Sequence, residues 1–302
     1  MAAEVALILL VLFSGLAVGA AVVAAIANLA DFTAKGKKFE AVSKWGAYVA
    51  FPAIAIGLLA SAFHLAKPLT FYKGILNAGS SWLSREGVFG ILFLILAGVY
   101  ALLWFLSARG KAISQIGRLV VGLLSALAAL ALVCSTGMAY TIVRPIPAWN
   151  SPLTILFFVV SAGLLGTLLV AAALAIVSGL KKGDAKAAVQ GALEPLPKIA
   201  AILAVALAVV EALRLVQMSA APAEGGVKSL ALLGGPLLGW VLVRWIVGLA
   251  IPLALLVYAW VVGKKHPEKT GTWLLVSFCL VLVGEVVARV LFFLSAVPIS
   301  VI

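Results

Sequence analysis

Charged residues are scarce in this chain of 302 residues. Asp, Glu, Lys and Arg make up 11% of the sequence, whereas they make up about a quarter of an ordinary soluble domain. Hydrophobic residues make up 65%, and the mean hydropathy is +1.25. This composition excludes a soluble enzyme and predicts an all-α integral membrane protein, since a helix of about 20 apolar residues crosses a bilayer. The length leaves room for eight or nine such helices, but not for a soluble catalytic domain in addition.

Cysteine and histidine are also scarce. Cys134 and Cys279 are the only cysteines, and each lies within an apolar run. Because an iron–sulfur cluster takes about four cysteine ligands, we expect no cluster in this chain and two cysteines that act as small hydrophobic residues. The two histidines are His64, in an apolar run, and His266, in a polar run. We therefore expect neither a haem held by two intramembrane histidines nor any other metal site.

The apolar runs predict a single transmembrane domain over residues 1–302, built as a bundle of eight helices. Since the connections between the runs are short, consecutive helices are expected to cross the membrane in opposite directions. The predicted bounds of the helices are 4–30, 45–66, 87–107, 117–140, 152–179, 198–220, 236–262 and 272–296.

Lysine and arginine are distributed unequally between the two ends of this bundle. The net charge of +12 would suggest nucleic acid binding in a soluble protein, but here the charge is divided among short loops. Fourteen of the basic residues lie in or beside the first, third, fifth and seventh connections. By the positive-inside rule, this richer end faces the cytoplasm. We therefore expect both termini on the non-cytoplasmic side, with membrane lipid around the bundle and no nucleic-acid partner.

Ionisable residues inside the predicted helices are concentrated toward the end with few basic residues. Such residues are costly in a bilayer and are therefore candidates for function. Glu285 and Arg289 are four residues apart, and Glu211 and Arg214 are three apart, so the members of each pair share a helix face. Each pair is expected either to neutralise itself and hold helices together, or to line a polar pocket or proton route.

His64 and Glu86 form a sharper candidate site. His64 falls near the end of the second predicted helix, and Glu86 lies at the start of the third. Both side chains are suitable general bases, and histidine titrates near neutral pH. His64 alone fits an interfacial side chain equally well, but its nearness to Glu86 favours a function. Quinol oxidation needs such bases because it releases two protons with its two electrons, and the electrons require a metal centre in a docked partner.

The connections at this end are rich in proline and aromatic residues. Structured loops of this kind are often functional surfaces, although tryptophan is also typical of the membrane interface. We predict that partner subunits dock on the following residues of these loops: Lys67, Pro68, Tyr72, Trp82 and Trp149. We predict a supporting polar pocket from a second set: Arg85, Tyr140, Arg144, Glu285 and Arg289.

Four stretches resemble the membrane anchor subunit of the bacterial dimethyl sulfoxide reductase family: residues 61–69 (SAFHLAKPL), 77–86 (NAGSSWLSRE), 144–149 (RPIPAW) and 284–289 (GEVVAR). The resemblance implies a haem-free bacterial inner-membrane subunit that oxidises menaquinol in anaerobic respiration. It implies two partners on the non-cytoplasmic face, a four-cluster ferredoxin-like iron–sulfur subunit and a molybdopterin catalytic subunit. His64 and Glu86 match the family's quinol-linked histidine and acidic residue.

A proton-linked secondary transporter is the alternative prediction. Transporters usually bind their substrates near the bilayer midplane, between repeated halves. This sequence has no convincing internal repeat, and its polar residues lie off-centre. An assembly scaffold without chemistry is a third possibility. A copurifying iron–sulfur subunit would separate the transporter from the other two, and quinol turnover would separate the quinol-oxidising subunit from the scaffold.

Overall fold

The computed structural model describes residues 2–62, 76–220, 224–263 and 265–299. Within these ranges the regular secondary structure is entirely helical. Four of the predicted site residues, His64, Lys67, Pro68 and Tyr72, lie outside the described residues. The helices are α1 (Ala2–Thr33), α2 (Glu40–Ala62), α3 (Trp82–Ala108), α4 (Gln115–Thr141), α5 (Pro152–Leu180), α6 (Gly183–Leu193), α7 (Leu196–Ala220), α8 (Glu224–Gly234), α9 (Leu238–Val262) and α10 (Pro267–Leu294).

The described part contains eight helical stretches that are long and apolar enough to cross a membrane, which confirms the predicted number. α6 and α7 together form one of these stretches, and α8 forms none. The sequence predicts loops at the positions of α6 and α8. This prediction is wrong at both positions, because each holds a short helix. Glu194 and Pro195 separate α6 from α7, because a proline inside a helix removes a backbone hydrogen bond.

α3 begins at Trp82, five residues before its predicted start. The hydroxyl of Ser81 caps the helix by accepting a hydrogen bond from the backbone nitrogen of Ser84 at 3.4 Å. A side chain of this type satisfies one of the free amide groups at a helix start. Glu86 therefore lies one turn inside α3 rather than at its beginning.

α1 and α5 form the centre of the bundle. α1 packs against α2, α4 and α5, and α5 also packs against α4, α7 and α10. The two central helices meet where Gly19 faces Gly166, and a Cβ atom on Gly166 would lie 2.1 Å from the backbone nitrogen of Ala20. Gly248 of α9 and Gly284 of α10 make a similarly close contact. Small residues allow this approach in membrane proteins, where van der Waals packing drives helix association.

The alternating direction of the spans gives the bundle two chemically different ends. Connections 33–40, 108–115, 180–183 and 262–267 share one end, here called the basic end because most of the lysines lie in or beside these connections. The connection 141–152, the start of α3 and the end of α10 share the opposite end. The predicted site residues that the structure describes lie in the half of the bundle toward this opposite end.

Candidate functional site

Glu86 is hydrogen-bonded to α4 inside the bundle. Its Oε1 atom lies 2.8 Å from Oγ1 of Thr136, which also lies 3.1 Å from the carbonyl oxygen of Leu132. A hydroxyl has one proton to donate and two positions that accept. Thr136 can therefore donate a hydrogen bond to an ionised Glu86, or donate to Leu132 and accept a hydrogen bond from an uncharged Glu86. This geometry accommodates both the gain and the loss of a proton at Glu86.

The charge environment of Glu86 differs from that of Glu211 and Glu285, which lie in the same half of the bundle. Glu211 and Glu285 are each paired with arginine. Among the residues that the structure describes, Glu86 has no cationic partner, and its only side-chain hydrogen bond is to Thr136. Of these three glutamates, Glu86 is the one whose oxygen atoms are not paired with a guanidinium group of the described residues.

An aromatic group lies one helical turn from the hydrogen-bond partner of Glu86. Tyr140 is one turn beyond Thr136 on the same face of α4. Its ring stacks on Phe158 with a centroid distance of 5.7 Å and meets Trp149 edge-on at 5.1 Å. These rings form an apolar aromatic cluster with both stacked and edge-to-face contacts, the two arrangements in which aromatic rings pack against one another.

The connection 141–152 is fastened to α10 by this aromatic group. Trp149 donates from Nε1 to the carbonyl oxygen of Phe292 at 2.9 Å, and the two rings stack with centroids 5.4 Å apart. Trp149 was predicted to dock a partner, and its ring is half-buried in this packing. Arg144, on the same connection, is exposed.

Arg85 closes the turn that precedes α3. Its guanidinium group donates to the carbonyl oxygens of Ala78 and Gly79, each at 2.8 Å, and lies 4.3 Å from the ring centroid of Trp82. The structure therefore brings Arg85 together with Trp82 rather than with Glu86. Both side chains belong to the surface of the end opposite the basic end.

A second polar site joins α5, α7, α9 and α10. Nη2 of Arg244 lies 2.6 Å from Glu211 and 2.8 Å from Glu285. Nη2 of Arg289 lies 3.2 Å from Glu285 and 2.6 Å from Oγ of Ser161, which donates to Glu285. Arg244, Glu285 and Arg289 are each at most 2% exposed. We call these five residues the arginine–glutamate cluster: Ser161, Glu211, Arg244, Glu285 and Arg289.

One predicted pair is present in this cluster and one is not. Glu285 and Arg289 are paired on one face of α10, as predicted. The predicted pair of Glu211 with Arg214 is wrong, because Glu211 pairs with Arg244 of α9 instead. Arg244 lies in a π-helical segment, Val243–Ala250. Segments of this kind occur frequently at functional sites, and this one presents Arg244 to two carboxylates at once.

Arg214 lies beside a small cavity at the edge of the cluster. Its guanidinium group is 4.6 Å from the ring centroid of Phe157 and donates to the carbonyl oxygen of Ala148 at 3.2 Å. The cavity has a volume of about 70 Å³, and Arg244 and Trp245 also line it. This volume holds about two water molecules and is far below the several hundred Å³ of a typical ligand pocket. The cavity does not accommodate a quinone ring.

Thr136 and Ser161 are site residues that sequence reasoning does not find. Hydroxyl groups within membrane helices commonly bond to a carbonyl of their own helix, so the two residues resemble many others. The four-residue spacing of Thr136 and Tyr140 is the only sequence signal for Thr136.

Within the described ranges, no group of three His, Cys, Asp or Glu side chains is placed to hold a metal ion.

Comparison with known proteins gives one family and two relatives. A family model described as the DMSO reductase anchor subunit (DmsC) matches residues 1–294. The C subunit of a sulfite dehydrogenase from Allochromatium vinosum is 35% identical over 147 residues, which are 46% of this chain and 44% of the relative. The C subunit of an anaerobic dimethyl sulfoxide reductase from Haemophilus influenzae is 32% identical over 107 residues, which are 35% of this chain and 37% of the relative. Both matches span less than half of the relative's length.

A solved structure shares the fold. The structure of bd oxidase from Geobacillus thermodenitrificans superposes with a TM-score of 0.74, over 97% of this chain and 85% of that protein's chain. The two sequences are 14% identical. At this level of identity the likeness concerns the arrangement of helices alone, since one fold supports many functions.

Proposed function

The chain belongs to the family of DMSO reductase anchor subunits, and we propose that it oxidises quinol for the complex that it anchors. Its relatives' names place such subunits in oxidoreductases that act on sulfur compounds. Our proposal is more specific. The electron donor is menaquinol, the first acceptor is a four-cluster ferredoxin-like iron–sulfur subunit, and the second is a molybdopterin catalytic subunit. The complex works in anaerobic respiration in the bacterial inner membrane.

The carboxylate of Glu86, which has no cationic partner among the residues that the structure describes, carries this proposal. It lies one turn inside α3 and is hydrogen-bonded to the hydroxyl of Thr136, which can serve either protonation state of Glu86. Tyr140 lies one turn beyond Thr136 on α4. A quinol site needs a proton acceptor of this kind next to a flat apolar surface. His64 lies between α2 and α3 in the sequence, and we propose that it is the second general base of the site.

In the proposed reaction, one quinol loses two protons and two electrons and leaves as quinone. The quinol enters from the bilayer among α2, α3 and α4. His64 accepts the proton of one hydroxyl group, and Glu86 accepts the proton of the other and passes it toward the non-cytoplasmic side. The two electrons pass to the nearest cluster of the docked subunit and then to the catalytic subunit.

Membership of an anchor-subunit family does not favour the alternative of a secondary transporter. The cavity beside the arginine–glutamate cluster also has room for water but not for an ordinary transported solute. The cluster itself fits a structural role, since its guanidinium and carboxylate groups form ion pairs across three helices and Ser161 joins a fourth helix to them.

The proposal is tested by reduction of the partner's clusters with quinol in the purified complex. We expect Glu86→Gln and His64→Ala each to slow this reduction at least about a hundredfold, which is the usual contribution of a general base. Glu268→Gln and His266→Ala are matched controls, because these two residues are exposed and contact one another on the basic side. Both controls are expected to retain the native rate.

Copurification of the iron–sulfur subunit is measured in every variant, so that loss of assembly is not mistaken for loss of chemistry. If a variant assembles and still reduces the clusters with quinol at the full rate, the substituted residue does not belong to the proposed site. If no iron–sulfur subunit copurifies with the native protein, the proposed function itself is wrong and the transporter alternative gains support.

A further inference from the structure

A groove opens at the basic end of the bundle, away from Glu86 and the arginine–glutamate cluster. It has a volume of about 550 Å³ and lies among the start of α2, the end of α5 and one side of α6. Of the acidic residues, Glu40 alone is among those that line it. Lys38 also lies 3.8 Å from Glu194 in an exposed ion pair, which contributes little. Four lysines from three separate parts of the chain line the groove: Lys37, Lys38, Lys44 and Lys181.

The backbone holds two of these lysines in place. Both carboxylate oxygens of Asp31 accept a hydrogen bond from the backbone nitrogen of Phe39, at 2.9 and 3.0 Å, so the connection between α1 and α2 is tied down. Asp31 is 6% exposed. Lys37 and Lys38 directly precede this anchored position. A ligand that binds them therefore meets a surface whose backbone is already ordered, which lowers the entropy cost of binding.

The floor of the same groove is apolar. Val177 of α5 and Ala185, Ala188 and Val189 of α6 line it, with the indole ring of Trp45 at its side. Tryptophan is typical of the level at which lipid headgroups meet the hydrocarbon region. The groove thus combines a positively charged rim with an apolar floor, and it is large enough for a small molecule.

We propose that this groove binds the headgroup of an anionic phospholipid. The phosphate lies among the lysine ammonium groups, and the glycerol and upper acyl chain lie on the apolar floor. Inorganic phosphate satisfies the rim but makes no use of the floor, so the amphipathic lining selects a lipid. Basic pockets between membrane helices are known to recognise anionic headgroups in this way. The proposal is independent of the quinol site, which lies at the opposite end of the bundle.

The test is native mass spectrometry of the purified, detergent-delipidated complex during titration with phosphatidylglycerol. We expect the native chain to retain this lipid at concentrations where it retains no phosphatidylcholine. The variant Lys44→Gln/Lys181→Gln is expected to bind phosphatidylglycerol about thirtyfold more weakly, since each lysine near an anionic lipid contributes about 1 kcal/mol. The matched control is Lys265→Gln/Lys269→Gln, which removes the same charge near the basic end from exposed residues that do not line the groove.

Thermal unfolding checks that the first variant is folded, and Lys37→Gln/Lys181→Gln replaces it if it is not. Equal binding of phosphatidylcholine, or an equal loss of affinity in the control variant, would overturn the proposal. So would undiminished phosphatidylglycerol binding by the groove variant. Displacement of the lipid by an equal concentration of inorganic phosphate would identify the groove as a site for soluble phosphate instead.

Discussion

At the scale of single residues, the charged groups within the bilayer serve two different purposes. Glu211 and Glu285 are held by Arg244 in a buried network, in which removal of one partner leaves the others uncompensated. Glu86 has a hydroxyl partner and, among the described residues, no cation. The same residue type therefore acts as a structural anion in one place and as a candidate proton acceptor in another, and its partner decides which.

Replacement of Arg244 by methionine is expected to destabilise the protein by about 3 kcal/mol, because it leaves Glu211 buried without a counter-ion. The measurement is the free energy of unfolding in mixed micelles. Arg109→Met is the matched control. Arg109 is exposed, and its guanidinium group lies over the ring of Phe105. A change below about 0.5 kcal/mol is expected for the control. Equal stability of the two variants would contradict a structural role for the cluster.

Thr136→Val removes the hydroxyl group beside Glu86 but keeps the shape of the side chain. If Thr136 orients Glu86 for proton transfer, quinol-dependent cluster reduction should fall about tenfold or more, which is the value of a hydrogen bond to a charged group. Thr136→Ser retains the hydroxyl and is expected to restore most of the rate. A rate that is unaffected in the valine variant, or that serine does not restore, would exclude this positioning role.

At the scale of helices, glycine contacts set how closely the spans approach. Gly19 and Gly166 bring α1 against α5, and Gly248 and Gly284 bring α9 against α10. The second contact also has a chemical consequence, because it lies beside Nη1 of Arg244. Close packing of α9 on α10 thereby places the guanidinium group of one helix within reach of the carboxylate of the other.

Gly166→Ala is expected to destabilise the bundle by about 1–3 kcal/mol, because its new methyl group would overlap the backbone of α1. Gly179→Ala lies on the same helix and has nothing within 4 Å of the added atom. That control should be neutral or slightly stabilising, since alanine favours a helix over glycine. Thermal unfolding of both variants decides the point, and two equally stable proteins would mean that α1 and α5 are not in close contact.

At the scale of the whole molecule, the asymmetry between the two ends is the main functional feature. The basic end carries the lysine-lined groove, and the opposite end carries Glu86, its aromatic neighbours and the connection 141–152. The positive-inside rule assigns the basic end to the cytoplasm. In our proposal, the partner subunits and the release of protons then belong to the other side. If reduction of the terminal substrate consumes protons on that side too, no net charge would cross the membrane.

This orientation is tested by cysteine labelling in spheroplasts, in a chain whose Cys134 and Cys279 are replaced by alanine. A membrane-impermeant maleimide is expected to label Ser80→Cys in intact spheroplasts. Lys111→Cys, on an exposed connection at the basic end, should react only after the membrane is permeabilised. The reverse pattern would place the quinol site on the cytoplasmic side.

The direction of proton release provides a second test at the same scale. In proteoliposomes that contain the complex, quinol oxidation by an acceptor that takes up electrons but no protons on the side that carries Glu86 is expected to acidify that side, without forming a membrane potential. A pH indicator and a potential-sensitive dye measure the two quantities separately. Acidification on the basic side would contradict the proposed proton route through Glu86.

The sequence by itself determined the number of spans, because hydropathy is a local property that a run of about 20 residues expresses without help from the rest of the protein. It also indicated which charged residues lie inside the membrane, and it indicated the pairing of Glu285 with Arg289, since four residues along one helix fix a shared face.

Only the tertiary structure decided which groups meet across helices. The partner of Glu211 is Arg244 rather than Arg214, and the partner of Glu86 is Thr136. Both pairings depend on which spans are neighbours and on how closely they approach. The spacing of residues along one helix shows neither which helices are neighbours nor how closely they approach. Both are set by surface shape at contacts such as that of Gly248 with Gly284.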